Sequence, residues 1–218
     1  MTSRRLSVLR GERSFTRKAG NTPPKEVTLI VCEGETETKY LKAICQSLRL
    51  ATATIYVCDN GTDSAPVNLV NKAEQLNLTN DGYDHIYCVF DKDIHESFDR
   101  AREKIRSLSR RTRKPLPIKE AVSIPSFELW VLLHFEQTDR SFGTSAEVVR
   151  YISNQNHIRA YKKADDLICQ ELITRLETAI KNAGWLERRG HTSNENPMTN
   201  VHKLVQHIKE IAIKQSQN

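Results

Sequence analysis

The sequence predicts an α/β protein with a mostly parallel sheet flanked by helices and with a helical C-terminal part. Short apolar runs at 27–32, 54–58 and 86–90 alternate with segments of helical periodicity. Runs that are apolar on both faces are typical of parallel strands covered by helices on each side. The last third of the chain carries only helical stripes.

The pattern of the first half of the chain predicts repeated βαβ units. The first strand leads into a helix over about 35–48, with Tyr40, Leu41 and Ile44 on one face. After the second strand, Ser64-Ala65-Pro66 resembles a helix start, with Ser as N-cap and Pro in the first turn. The third strand follows that helix, so we expect parallel pairing and right-handed crossovers.

The second half is predicted from apolar stripes and one uniformly apolar segment. A helix with its arginines outside follows the third strand and ends before Pro115, and 119–124 forms a fourth strand. The segment 126–135 is apolar nearly all round and predicts a buried helix. Further helices are expected at 145–154, 163–183 and 199–215. The predicted division is a basic, disordered arm (1–25), an α/β catalytic core (26–140) and a helical region packed on it (141–218).

Acidic residues follow two of the predicted strands. Glu33 comes directly after the first strand, and Asp91 and Asp93 come directly after the third. Carboxyl ends of parallel strands share one edge of the sheet, where ligands bind. Two close carboxylates resist joint ionisation unless a cation lies between them. We therefore expect Glu33, Asp91 and Asp93 to bind Mg²⁺ or Mn²⁺.

Further titratable residues lie near these carboxylates in the sequence. Glu128 stands among apolar neighbours, where a carboxylate needs a partner. We place it in the catalytic set, as a third metal ligand or as a carboxylate that orients a ligand. The alternative is a capping or salt-bridged glutamate. Glu35, Glu37 and His95 are candidate proton acceptors. Of these three, Glu37 is included among the predicted catalytic residues. We interpret His134 as a hydrogen-bonded core histidine.

Positive charge is concentrated in two segments. Residues 1–26 hold seven Lys or Arg against two Glu, and 100–119 hold nine against one, in a chain of net charge +6. Basic segments beside an acidic centre favour a protein that binds a polyanion such as DNA or RNA. An ordinary solvated helix face is the alternative. The candidate phosphate contacts are Lys92, Arg100, Arg106, Arg110, Arg111 and Arg113.

Other features bound the class of protein. No apolar run approaches membrane-spanning length and no signal core is present, so we expect no membrane partner and a cytoplasmic location. The five cysteines show no zinc spacing and are interpreted as core thiols. A polar loop with Arg188-Arg189 and Asn194–Pro197 contacts substrate or is merely surface. Oligomeric state is not indicated.

Several motifs together resemble one family. They are Cys32-Glu33-Gly34-Glu35-Thr36-Glu37 with Tyr40, Phe90-Asp91-Lys92-Asp93, Ser123-Ile124-Pro125-Ser126-Phe127-Glu128-Leu129-Trp130 with Leu133-His134-Phe135, and Asn196-Pro197-Met198-Thr199-Asn200-Val201. These motifs look like the RloB-like family. The resemblance implies a TOPRIM-like (Rossmannoid) core, the fold of topoisomerases, primases and overcoming-lysogenisation-defect nucleases, in which Glu33, Asp91 and Asp93 hold Mg²⁺.

The resemblance also implies a biological setting. RloB-like proteins are similar to components of bacterial anti-phage and abortive-infection loci, often encoded beside an ATPase partner of the AAA or ABC type. The leading hypothesis is a metal-dependent nuclease. The alternatives are a nucleic-acid-binding effector subunit that is inactive alone and, ranked lower, a nucleotidyl or strand transferase.

Overall fold

Five strands form one sheet, as expected for the α/β class. The structure is a computed structural model that describes residues 25–58, 65–79, 82–92, 97–158, 161–189 and 195–217. Its strands are β1 (Thr28–Cys32), β2 (Ala53–Val57), β3 (His85–Asp91), β4 (Ile118–Ile124) and β5 (Met198–Thr199), in the order β2-β1-β3-β4-β5. The first four are parallel and β5 is antiparallel to β4. The sheet is therefore mostly parallel, as predicted.

Helices cover both faces of the sheet. They are α1 (Glu35–Ser47), α2 (Pro66–Thr79), α3 (Phe98–Ser109), α4 (Glu128–Leu132), α5 (Ser145–Asn154), α6 (Asp166–Thr174), α7 (Leu176–Arg188) and α8 (Val201–Ser216). Strand residues alternate between two buried clusters. Ile30, Tyr87 and Ala121 face the side covered by α1 and α4 to α8, and Leu29, Ile86 and Val122 face α2 and α3. This alternation is why the strands are apolar on both faces.

The strand order places a topological switch point between β1 and β3. From β1 the chain moves outward through α1 to β2, and then crosses back through α2 to β3 on the other side of β1. The helices that follow these two strands, α1 and α3, lie on opposite faces of the sheet, which is the arrangement that opens a crevice at the carboxyl edge. The two strands are tied together there, since the Glu33 backbone N–H donates to the Val89 carbonyl at 3.0 Å.

Three boundaries differ from the sequence prediction. The helix expected over 126–135 is α4, of five residues, because the chain turns after Leu132. The helix expected over 163–183 is two helices, α6 and α7, which meet at Arg175. The strand β5 was not predicted, because two residues are too few to show alternation, and Thr199, expected to begin the helix over 199–215, lies in this strand instead. Each difference depends on packing between distant segments rather than on local pattern.

The prediction that the arginines of α3 lie outside is wrong for Arg102. This residue is 4% exposed and donates from Nε and Nη2 to the carboxylate of Glu120 on β4, with an Nη2–Oε1 distance of 2.6 Å. Arg102 lies on the helix face of Phe98 and Ile105, four and three residues away, which turns it inward. A buried guanidinium needs such a partner.

The remaining predictions concern the cysteines, membrane-spanning helices and several residues near the site. The five cysteines are free and buried, as predicted. No helix in the described part of the chain is long and apolar enough to cross a membrane. The proposed arm up to residue 24, the Ser64 cap, Asp93, His95 and residues 190–194 lie outside the described residues.

Candidate active site

Two of the predicted carboxylates lie side by side at the switch point. Glu33 follows β1 and Asp91 ends β3, and the Asp91 backbone N–H donates to Glu33 Oε2 at 3.1 Å. The Asp91 carboxylate in turn accepts a hydrogen bond from the backbone N–H of Phe127 at 2.8 Å. Phe127 immediately precedes α4, so three elements of the core hold this pair in place.

Glu37 completes the inner side of the same crevice. It lies in the first turn of α1 and is 7% exposed. Its carboxylate folds back over Gly34, where an added Cβ would come within 2.8 Å of Glu37 Oε2. Glycine at position 34 thus leaves room for this carboxylate beside Glu33.

Glu128 is the most thoroughly bonded carboxylate of the group. It is 1% exposed, and its Oε2 accepts hydrogen bonds from Ser126 Oγ at 2.7 Å and Ser145 Oγ at 2.8 Å. Its Oε1 lies 2.9 Å from the ammonium of Lys163, which also donates to Ser145. Of the roles that the sequence suggested for Glu128, the structure shows that of a salt-bridged glutamate.

These four carboxylates, the carboxylate cluster (Glu33, Glu37, Asp91 and Glu128), repel one another electrostatically. Burial, followed by repulsion from Glu128 and Glu33, raises the pKa of Glu37 to about 7. Burial and the charge of Glu37 raise the pKa of Asp91 well above its ordinary value, against the opposing hydrogen bond from Phe127. A positive ion in the crevice would relieve this repulsion.

Sequence reasoning missed two residues of this site, Tyr161 and Lys163. Burial opposes the charge of Lys163, but Glu128, Asp91 and Glu37 raise its pKa. Burial and the same three carboxylates raise the pKa of the Tyr161 phenol. Both precede α6 in a polar stretch, Tyr161-Lys162-Lys163, although the helix predicted over 163–183 would have begun at Lys163. No periodicity or spacing in the sequence could have placed them against the cluster.

The donor chemistry of the cluster fits a hard divalent cation. Carboxylate oxygens are the ligands that Mg²⁺ and Mn²⁺ prefer, and Mg²⁺ commonly uses only one or two of them. Glu33 and Asp91 are adjacent and partly exposed, whereas Glu37 and Glu128 are buried. Within the described ranges, which exclude Asp93, no group of three or more His, Cys, Asp or Glu side chains is arranged to hold a metal ion.

The predicted phosphate contacts lie at two ends of α3. Lys92 follows Asp91 and lies over the Phe98 ring at 5.9 Å, and Arg100 is exposed in the first turn of the helix. Arg106, Arg110, Arg111 and Arg113 lie near or beyond the other end, where the chain enters β4. That end belongs to the amino edge of the sheet, about 18 Å away for a helix of twelve residues. Arg111 also pairs with Glu74 at 2.9 Å.

A buried aromatic group supports the site from behind. His134 is 0% exposed, and its Nδ1 lies 2.9 Å from the Trp130 carbonyl, so Nδ1 carries the proton. Its Nε2 then accepts from the Tyr40 hydroxyl at 2.8 Å. Burial lowers the pKa of His134 to about 4. His134 is thus a hydrogen-bonded core histidine, as interpreted from the sequence, and Tyr40 packs edge-on against Phe127.

Comparison with known proteins agrees with the motifs. Searches of curated proteins and of solved structures find no match. The family model described as RloB-like protein matches residues 28–208, from the first strand into the last helix. The matched span includes the whole carboxylate cluster together with Tyr161 and Lys163. The chain therefore belongs to the RloB-like protein family.

Proposed function

We propose that this chain is a metal-dependent nuclease that hydrolyses phosphodiester bonds of DNA or RNA in bacterial anti-phage defence. The observation that carries the proposal is the pairing of Glu33 with Asp91 at the switch point, inside a cluster of four carboxylates with one lysine. Such an excess of negative charge is costly unless a cation is bound. RloB-like membership and the TOPRIM-like resemblance support the same chemistry.

In this proposal Glu33 and Asp91, with Asp93, hold Mg²⁺ or Mn²⁺. The bound ion would neutralise the scissile phosphate and activate water. The protein contributes fixed geometry, since backbone N–H groups orient Glu33 and Asp91 before substrate arrives. Preorganised ligands of this kind reduce the reorganisation that the reaction requires.

In this proposal Glu37 is the proton acceptor. Its pKa of about 7 matches the pH at which a general base both accepts a proton readily and remains available. Glu35 is exposed in the same turn, whereas Glu37 lies in the crevice. Lys163, with its side chain 56% exposed, brings positive charge to the rim of the cluster, where a substrate phosphate would enter.

The test is cleavage of labelled single- and double-stranded DNA and RNA, including tRNA, with Mg²⁺ or Mn²⁺. Glu33→Gln and Asp91→Asn keep side-chain shape but remove charge, so they should bind substrate and lose at least about a hundredfold in rate. Glu103→Gln, which neutralises an exposed carboxylate on α3, is the matched control. Equal rates in wild type and Asp91→Asn would refute the proposal.

A second candidate function is a nucleic-acid-binding effector subunit that is inactive alone. The observation favouring it is that Lys163 already neutralises one carboxylate of the cluster through Glu128. It predicts tight binding with steep salt dependence and no turnover with any divalent metal. We further propose an ATPase partner, on the family resemblance. Cleavage that appears only when the neighbouring ATPase and ATP are added would support that arrangement.

A further inference from the structure

Three exposed arginines, Arg140, Arg175 and Arg189, lie over aromatic rings. The Arg140 guanidinium is 4.9 Å from the Tyr151 ring centroid and 5.5 Å from that of Phe142. The other two are Arg175, at 4.8 Å from the Phe135 ring, and Arg189, at 5.2 Å from the Trp185 ring. We refer to these three arginines and their four rings as the arginine belt. Each contact thus places a guanidinium, which is a planar cationic group, at the surface of the protein beside an aromatic ring.

Polar contacts join the members of the belt into one surface. Arg189 pairs with Asp139, next to Arg140, at 2.7 Å. Glu136 connects the other side, because it is 2.9 Å from His157 Nε2 and is close enough to Tyr151 for its charge to raise the pKa of that phenol, after burial. The His157 ring stacks on Phe135, the platform of Arg175, with centroids 5.2 Å apart and planes at 18°. The belt is therefore continuous from Trp185 to Arg175.

The belt is also connected to the carboxylate cluster. Phe142, the ring beneath Arg140, lies three residues before Ser145, which donates to Glu128. Three residues span at most about 11 Å of backbone, so the belt lies close to the cluster along the chain. The intervening segment is fixed, because Asn196 exchanges hydrogen bonds with the backbone of Phe142. Asn196 belongs to the polar loop noted in the sequence.

We propose that the arginine belt binds single-stranded nucleic acid and leads it to the carboxylate cluster. Unpaired bases stack on aromatic rings and on guanidinium planes, whereas the bases of a duplex are stacked on one another and unavailable. Every base has a π-face, so the binding tolerates any sequence. That the bound nucleic acid is led to the carboxylate cluster rests on the proposed nuclease function, whereas its binding to the belt does not.

The charges around the belt indicate stacking as the main source of affinity. Asp139 pairs with Arg189 at 2.7 Å and Glu171 lies 3.8 Å from Arg175, so these acids offset part of the positive charge of two of the three arginines. A surface built only to attract phosphate would not carry these acids. Lysine keeps the charge of arginine but lacks the planar guanidinium, so Arg→Lys variants separate the two sources of binding.

The experiment measures binding of fluorescein-labelled oligo(dT) and oligo(rU), about 16 nucleotides long, by anisotropy in EDTA with the full chain. One triple variant carries Arg140→Gln, Arg175→Gln and Arg189→Gln, and a second carries lysine at the same positions. The charge-matched control neutralises three exposed residues of α1, α5 and α7, namely Lys42→Gln, Arg150→Gln and Lys181→Gln. Thermal unfolding confirms folding, and the single variants carry the test for any triple variant that does not fold.

We expect both belt variants to lose at least about tenfold in affinity, which corresponds to the loss of a single base stack. The control should lose less than about threefold, and wild type should bind single strands more tightly than duplex. Oligonucleotide should also quench the fluorescence of Trp185, and Trp185→Phe removes that signal.

Four results would overturn the proposal: wild type that binds no nucleic acid, wild type that prefers duplex, a lysine variant that binds like wild type, or a control that loses as much as the belt variants. Because binding is measured without metal, it is independent of cleavage. If Asp91→Asn cleaves normally but the belt variants lose affinity, the nuclease proposal fails and the belt stands. If cleavage is lost in Asp91→Asn and the belt variants bind normally, the nuclease proposal stands and the belt proposal fails.

Discussion

Replacing Glu37 by Gln should stabilise the metal-free protein at neutral and alkaline pH. Glu37 is 7% exposed and lies among like charges, so its ionised form is unfavourable in the folded state. Glutamine preserves shape and can still accept a hydrogen bond, but it removes the charge. Divalent metal should raise the free energy of unfolding of wild type more than that of Glu37→Gln, because metal relieves the same repulsion.

The size of the effect follows from the pKa of Glu37. Its rise from 4.5 to about 7 in the folded protein corresponds to about 3 kcal/mol, at about 1.4 kcal/mol for each pKa unit. Because the folded pKa is raised, the penalty is absent below pH 4.5, grows as pH rises through the window to about 7, and is complete above it. Between about pH 5.5 and about pH 8 the advantage of Glu37→Gln should therefore grow by about 2 kcal/mol.

The assay is urea unfolding of both proteins in EDTA at these two pH values, with equal slopes required for the comparison. Two kcal/mol corresponds to about 4 to 8 °C in a thermal scan. His134 has the opposite trend, since its pKa is lowered to about 4 and its stabilisation is lost as pH falls from 6.5. That contribution is present in both proteins and cancels. A Glu37→Gln advantage that does not change with pH would refute the reasoning.

Three other substitutions test individual contacts by urea unfolding. Lys163→Ala should cost about 1 to 2 kcal/mol by leaving buried Glu128 without its ammonium, and an equal loss in a Glu128→Gln background would contradict that coupling. Tyr40→Phe should cost about 1 to 3 kcal/mol because His134 Nε2 loses its donor; a neutral effect would mean that the hydrogen bond is not formed. Arg102→Ala should cost about 3 kcal/mol, and combining Arg102→Met with Glu120→Leu should recover most of it.

The strands and the first half of the site follow from local pattern. The strands β1 and β3 are nearly continuous apolar runs, so the end of each is visible in the sequence where its first carboxylate appears. Parallel strands end at one edge, which is why Glu33 and Asp91 could be placed together from the sequence. The exact pairing, with the Asp91 N–H on Glu33 Oε2, depends on the register of β1 and β3.

The remainder of the site depends on long-range packing. Lys163 and Tyr161 reach the cluster because the connection into α6 packs beside α1, with Lys39 donating to the Ala164 carbonyl at 2.8 Å. Nothing in a polar loop sequence specifies that contact. The number of basic residues in 100–119 likewise does not say at which edge of the sheet they lie. Because α3 must run back to the start of β4, its last arginines reach the edge opposite the carboxylates.

The antiparallel strand β5 has a consequence for when the site can form during synthesis. Thr199 bonds to Ser123 on β4, and α8 then buries Val201, Leu204 and Val205 in the same core as Phe127. Phe127 holds Asp91, so the segment that closes this core begins roughly 110 residues after the carboxylate it supports. At about 5 to 20 residues per second, a ribosome needs roughly 5 to 20 seconds to add them. A nascent chain that already contains its acidic residues would thus lack an assembled site until α8 has emerged, which delays any activity of that site.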